Sequence, residues 1–504
     1  MTASPTPASE SDNHVDVLVV GAGLSGIGAA CHLITGVPGT TYELVEARAT
    51  SGGTWDLFRY PGVRSDSDMH TLGYRFWPWR SHNAIAAGSD ILRYLRDTAA
   101  EFGVDVHITY NTRAVRADWS SDHAQWTVTL ENSRTGRRSA RTCAFLYLCA
   151  GYYDYDSGYS PTWPGVEDFG GTIVHPQHWP ADLDVAGKRV TVIGSGATAV
   201  TLVPALAEAG AQVTMVQRSP SYVMSLPTRD PVASLLRKLL PERSALSAIR
   251  WKNAKTATAI YQLCQRYPDR ARAVLRRAVR KQLPAGFDID THFTPTYQPW
   301  DQRMCLVPDG DFFAAIRAGN ADVVTGHVDS FTEQGLRLAS GATVEADIIV
   351  SATGLTLMPF GGIELSVDED PVRVAERVAY KGMMFDSVPN LAFAIGYTNA
   401  SWTLKVDLVS AYVARLVRYM REHSYARVEP RLPDVPMATS SFIEMTSGYF
   451  ERSRSALPLQ GDRAPWRLAQ HYFRDSAVFR EPFDASELRF RSASTAPAAT
   501  GLRR

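Results

Sequence analysis

Val15-Asp16-Val17-Leu18-Val19-Val20-Gly21-Ala22-Gly23-Leu24-Ser25-Gly26 decides the fold. A short apolar run of strand type enters GxGxxG directly, residues 27–34 then read as an Ala- and Leu-rich helix, and a second strand over 41–45 ends at Glu46. Strand, glycine turn, helix and strand make a dinucleotide-binding unit. Gly21 permits the tight turn, Gly23 lets backbone approach a pyrophosphate, and Gly26 lets the helix lie close on the strand; Ser25 stands inside the same turn. The helix N-terminus turns unpaired N–H groups and a positive dipole end towards the phosphates. Glu46 would accept hydrogen bonds from both ribose hydroxyls and repel a 2′-phosphate, so this turn suits FAD or NAD and not NADP.

The pattern recurs. A strand over 189–193 enters Gly194-Ser195-Gly196-Ala197-Thr198-Ala199, a helix follows over 200–207, and a strand over 212–216 ends at Gln217-Arg218-Ser219. No acid matches Glu46 here. Arg218 can pair with a 2′-phosphate, which assigns NADPH to this turn. Two such sites in one chain imply electron transfer between cofactors, and FAD with NADPH is the economical pairing.

Composition narrows the classes further. The 504 residues leave room for two to four domains at roughly 150 residues each. Lys plus Arg equals Asp plus Glu at 52 each, which argues against nucleic acid as the partner. The five cysteines are widely spaced without a CxxC pair, so neither a disulfide framework nor a cysteine zinc site is expected, and a reducing cytoplasm is the natural compartment. The longest apolar run, near 144–153, is half of the roughly 20 residues that cross a bilayer; peripheral membrane association stays open. His175 and His178 lack a third ligand, so no metal is expected. Disulfide reductases place a reactive cysteine pair at the flavin, and neither CxxC nor CxxxxC occurs, which leaves oxygen chemistry.

Gly52-Gly53-Thr54-Trp55-Asp56-Leu57-Phe58-Arg59-Tyr60-Pro61-Gly62-Val63-Arg64-Ser65-Asp66 resembles the long fingerprint of the Baeyer–Villiger monooxygenases at every fixed position. Phe169-Gly170-Gly171-Thr172-Ile173-Val174-His175-Pro176-Gln177-His178-Trp179-Pro180 resembles their second fingerprint, FxGxxxHxxxW followed by Pro, and Ala352-Thr353-Gly354 the return from the NADP domain. The resemblance implies an enzyme that consumes NADPH and O₂, forms a flavin C4a-peroxide and turns ketones into esters or lactones, with sulfides and thioamides as further oxygen acceptors. It makes Asp66 the active-site acid and Arg303 the arginine over the flavin, a fixed cation for a peroxide anion and for a tetrahedral oxyanion. Thr54, Trp55, Asp56, Leu57, Arg64, Ser65 and Val115 join Asp66 as cofactor contacts. Trp402 follows a segment that approaches flavin and nicotinamide in the family; cofactor contact and core packing are both open for it. His175 falls in the family's interdomain linker, a structural or hinge position. Many members carry Lys where Gln302 stands, a departure that leaves Arg303 itself untouched.

The expected architecture is α/β with two Rossmann-type dinucleotide-binding domains, FAD and NADP, and a helical insertion in the second. The boundaries are a disordered tail over 1–14, the FAD domain over 15–155 and 360–504, a linker over 156–186, the NADP domain over 187–221 and 297–358, and the insertion over 222–296. Helices are read at 235–240 and 271–283 with a basic outer face, short strands at 321–325, 336–338 and 348–352, a long helix over 404–420, and a loose tail over 493–504. Two other functions compete: a heteroatom oxygenase inert towards ketones, which Asp66 and Arg303 argue against, and a non-catalytic flavin redox sensor, which the intact turns argue against.

Overall fold

Two sheets, one per glycine turn, carry the computed structural model, which describes residues 13–492. The expected tail over 493–504 and residues 1–12 lie outside that range, and His14, assigned above to the tail, opens the first strand. The first half supplies β1 (His14–Val20), β2 (Tyr42–Val45), β3 (Ile108–Thr109), β4 (Thr112–Ser120), β5 (Gln125–Asn132) and β6 (Arg138–Leu148). The second sheet takes β7 (Thr172–Val174), β8 (Arg189–Ile193), β9 (Gln212–Gln217), β10 (Ala321–Thr325) and β11 (Ile348–Ser351). The chain then returns β12 (Glu364–Val367), β13 (Asp370–Pro371) and β14 (Leu391–Phe393) to the first sheet.

The nine-stranded first sheet runs β13-β12-β4-β5-β6-β1-β2-β3, with β14 also on β6. Its centre is parallel: β1 pairs with β2 and β6, which explains the unbroken apolar run Val17–Val20, buried on both faces. β4 to β6 form an antiparallel meander whose alternate residues, Trp119 and Trp126 among them, face one core. The second sheet, in the order β10-β9-β8-β11-β7, is wholly parallel. The two-domain α/β expectation therefore holds.

The helices are α1 (Leu24–Gly36), α2 (Met69–Leu72), α3 (Ala197–Glu208), α4 (Pro231–Leu239), α5 (Glu242–Arg266), α6 (Pro268–Arg280) and α7 (Trp402–Glu422) among others. α1 and α7 pack together on the first sheet through Ile27, Leu33, Val406, Val409 and Val413. α4 starts where Asp230 accepts the Val232 and Ala233 N–H groups and Pro231 occupies the first turn.

Two expected boundaries shift, and the insertion proves partly buried. The segment read as a linker supplies β7, a short edge strand paired with Ile348–Val350, too brief to show a period. The segment read as the start of the insertion is a strand, Val223–Leu226, paired in parallel with Cys305–Pro308, so the helices begin at Pro231. The insertion is not only an outer face: α5 buries Ala245, Ile249, Arg250, Asn253 and Ala254. Among the described residues no helix is long and apolar enough to cross a membrane, and no group of His, Cys, Asp and Glu could hold a metal. All five cysteines are free and buried.

Candidate functional site

One cavity of about 560 Å³ runs from the end of β2 to the junction of the two sheets. At one end, Gly21 and Gly23 line it beside Glu46. Gly21 has φ +102°, and a Cβ on Gly26 would stand 1.8 Å from the Gly21 carbonyl oxygen, so only glycine lets α1 start this close to β1. Glu46 is buried; its carboxylate accepts the Ala22 N–H at 2.8 Å and the Arg48 N–H at 2.9 Å. Burial pushes its pKa up, against those two hydrogen bonds. Ser25 lines the cavity and its hydroxyl accepts the Trp402 indole N–H at 3.0 Å. Thr54, held on Tyr155 at 3.1 Å, and Trp55 form the next stretch of wall.

Several expected contacts stand elsewhere. Asp56 is off the wall and fully engaged: Arg48, Arg59, Arg96 and Thr50 all donate to its buried carboxylate. Burial raises its pKa, but the Arg48 and Thr50 hydrogen bonds and the Arg48 and Arg59 charges win and hold it below the usual range. Leu57 is buried behind the wall, and the Ser65 hydroxyl accepts the Ala86 N–H. The wall at β4 is Thr112, Arg113 and Ala114; Val115 sits in the β4 bulge just beyond it. Arg64 does line the cavity, yet its guanidinium is bound to Asp311 of the second half. Fingerprint residues thus dock the two halves. Gly62 (φ +75°) lies against α3, where a Cβ would meet the Thr201 carbonyl at 3.0 Å.

At the second glycine turn, a Cβ on Gly194 (φ +139°) would stand 2.3 Å from the Ala352 carbonyl, so this turn packs on the Ala352–Gly354 return. Gly196 opens on free space, Ser195 donates to the Ser219 carbonyl at 3.0 Å, Ala197 and Thr198 line the cavity, and Ala199 is buried on the inner face of α3. Gln217 is not available to a ligand: its buried amide donates to the His292 carbonyl at 2.7 Å and to Thr325 at 3.0 Å. Arg218 and Ser219 are exposed at the strand end. His175 accepts the Gln177 N–H at 3.2 Å and lies 3.3 Å from the Gly354 carbonyl, a structural tie between linker and return segment; its burial lowers its pKa.

At the junction, residues far apart in sequence meet. Arg303 Nη2 forms an ion pair with the Asp66 carboxylate at 2.7 Å, and about a third of each side chain is exposed to the cavity that both line. The loop carrying Arg303 is fixed by Asp301, which accepts the Gln298 N–H on its carboxylate and the Thr446 N–H on its carbonyl. Asp66 raises the Arg303 pKa most; burial opposes it, and Tyr152, Tyr449 and Tyr153 add to it. Those three tyrosines were not expected at the site. The signal for two of them was Gly151-Tyr152-Tyr153 at the end of β6, where parallel strands deliver ligand residues. Trp402 lines the cavity and packs on Tyr152 at 5.1 Å between centroids, against the core behind it.

Over 479 residues the chain is 52% identical to the FAD-containing monooxygenase EthA of Mycobacterium tuberculosis (strain ATCC 25618 / H37Rv), covering 95% of this chain and 98% of that one. The chain belongs to the FAD-containing monooxygenases. A family model described as flavin-binding monooxygenase-like matches residues 15–238 of this monooxygenase. It is also 48% identical to the putative FAD-containing monooxygenase MymA of the same strain, covering 96% and 99% of the two chains. In fold the monooxygenase is similar to an oxidised steroid monooxygenase solved with NADP, with a TM-score of 0.72 at 22% identity over 95% of this chain and 100% of that one.

Proposed function

We propose that this monooxygenase is an NADPH-consuming Baeyer–Villiger enzyme that inserts one oxygen atom of O₂ into ketones, giving esters or lactones, and that also oxygenates soft sulfur in sulfides and thioamides. The observation that carries the proposal is the Asp66–Arg303 pair in a cavity wall shared by both glycine turns.

The residues present fit FAD. Gly21 and Gly23 line the cavity at the start of α1, where a pyrophosphate would lie, Glu46 is held beside them at the ribose position, and Thr54, Trp55 and Trp402 continue the wall to Asp66. They fit NADPH as well: Gly196 is open and Arg218 stands exposed where a 2′-phosphate would lie. Bound FAD, once reduced, supplies the activation of O₂. Arg303 keeps a full positive charge at any working pH and stabilises negative charge on the oxygens at the junction. Asp66 fixes where that charge points. The rings of Tyr152, Tyr153 and Trp402 on the cavity wall restrict water around it. The five buried free thiols support a reducing, cytoplasmic setting. Peripheral contact with a membrane is supported by the insertion, where Lys and Arg far outnumber acids between 231 and 281 and Leu235, Leu239, Trp251 and Val274 are exposed.

The test is NADPH consumption by the purified protein with a panel of aliphatic and aryl ketones, products being identified by mass. Ester formed in proportion to NADPH supports the proposal. Oxidised sulfides or amines with no ester from any ketone would reassign the enzyme to heteroatom oxygenation.

A further inference from the structure

The four-residue α2 begins three positions after Asp66, and Ser67 before it and Leu72 at its end line the same cavity as Asp66. A helix this short does not hold itself, since its nucleation cost is not repaid within one turn. Its end groups also lack intrahelical partners. α5 of the insertion supplies a holder at each end. At the C-terminal end, one terminal nitrogen of Arg250 donates to the carbonyls of His70 at 3.1 Å, Thr71 at 3.1 Å and Gly73 at 2.6 Å. The guanidinium is buried, and its other terminal nitrogen lies 3.9 Å from Asp407. At the N-terminal end, the Asp68 carboxylate caps the helix by accepting the Thr71 N–H at 3.2 Å, and the Asn253 amide donates to its other oxygen at 2.7 Å. Arg250 and Asn253 are three residues apart and share one face of α5. The far side of α2 is fixed by α7: Thr71 meets Ser401 at 2.6 Å, and Thr403 donates to the Leu72 carbonyl on either side of Trp402.

The geometry points to Arg250 and Asn253 as positioning residues: α5 of the insertion clamps α2 at both ends and thereby sets the place of Asp66, and through it the direction of Arg303. This rests on the proposed role of the Asp66–Arg303 pair. The Arg250 cation suits the C-terminal carbonyls and the Asp68 carboxylate, held by the Asn253 amide, suits the N-terminal N–H groups, so the clamp is specific to this register of α2. The insertion then tunes oxygen transfer from outside the cavity wall.

The test compares Arg250→Met, Arg250→Lys and Asn253→Ala in the full-length, FAD-loaded protein. Hydrogen–deuterium exchange is read on the peptide spanning 66–73 and on α5, together with the fraction of consumed NADPH that appears as H₂O₂. Arg250→Met should speed exchange across 69–73 at least about tenfold, with α5 changed less than about twofold, and should shift NADPH use from product to H₂O₂. Lys, whose ammonium can reach some of the same carbonyls, should restore part of both. Asn253→Ala should give the same pattern more weakly. Unchanged exchange over 66–73 in both Arg250→Met and Asn253→Ala overturns the inference, as does loosening shared equally by α5 and 66–73. The exchange arm is independent of ketone turnover, so an enzyme that oxygenates no ketone would sink the proposed function and leave this test readable.

Discussion

Replacing Arg303 by Met removes the cation at the junction and nearly preserves side-chain length. Two other cationic side chains line the cavity, Arg64 and Arg113, and neither can stand in: Arg64 is bound to Asp311 and Arg113 to Asp156 at 3.2 Å. The loss is therefore uncushioned. A preorganised group facing developing negative charge contributes about 3–4 kcal/mol, so product formation should fall about 10²–10³-fold. Asp66 is left without its partner. Breaking a fully buried pair costs about 3–5 kcal/mol, and because a third of each side chain faces the cavity the expected stability loss is nearer 2 kcal/mol. The assay runs well below the variant's unfolding midpoint and reads three quantities: anaerobic bleaching of the flavin by NADPH, ester by mass, and H₂O₂. Bleaching should be slowed far less than ester formation, and H₂O₂ should replace the missing ester. Ester coupled to NADPH at a rate within tenfold of the unmodified enzyme would refute the role given to Arg303.

Gly26→Ala should lose about 3 kcal/mol or more, because the added Cβ meets backbone at 1.8 Å, and the purified protein should carry little FAD by its absorbance; a yellow protein of normal melting temperature contradicts this. Asp56→Asn should cost about 3–5 kcal/mol at neutral pH by freeing three arginines, measured by denaturant unfolding. Because the folded carboxyl titrates below its unfolded value, the gap between the two proteins should persist down to about pH 4 and close as the pH falls through the folded pKa; a gap that closes on the alkaline side would show the sign is wrong. Arg218→Ala should raise KM for NADPH roughly tenfold and leave KM for NADH nearly unchanged, the lower end of a charge-assisted bond because the site is exposed; equal KM changes for both would remove Arg218 from the 2′-phosphate. Vesicles rich in phosphatidylglycerol should pellet the protein at low ionic strength and release it as salt rises, as basic residues contribute on the order of 1 kcal/mol each; equal pelleting with neutral vesicles would reject the basic face as the contact.

Both glycine turns were legible because their constraint is local: Gly21, Gly26 and Gly194 stand where a Cβ would strike backbone, and the glycines appear at fixed spacing. Glu46 and Arg218 follow from position at strand ends. Asp66 and Arg303 were readable only through the fingerprints, since nothing in an Asp beside serines or an Arg before Met304 marks a partner brought in by folding. What the residues themselves could not convey was how each side chain divides its duties. Asp56 and Arg64 belong to the fingerprint, yet three arginines occupy the first and Asp311 the second. Gln217 ends its strand as expected and spends its amide on His292 and Thr325. Arg250 was hidden among many Arg and Lys of a segment that reads as solvated, because a buried guanidinium and a surface one are the same letter.

An enzyme that handles reduced flavin and oxygen leaks oxidant onto its own side chains, and thiols are the first to suffer when they ionise and are reachable. Burial pushes the Cys31 and Cys305 thiols up to about 12, and Cys149, Cys143 and Cys264 also upward. Burial keeps the Cys305 thiol protonated at neutral pH, although it lies only two positions from Arg303. The same packing that builds the two cores therefore holds these thiols in their less reactive protonated form, Cys149 on the cavity wall included, so Met and Trp at the cavity margin should be oxidised before any cysteine is.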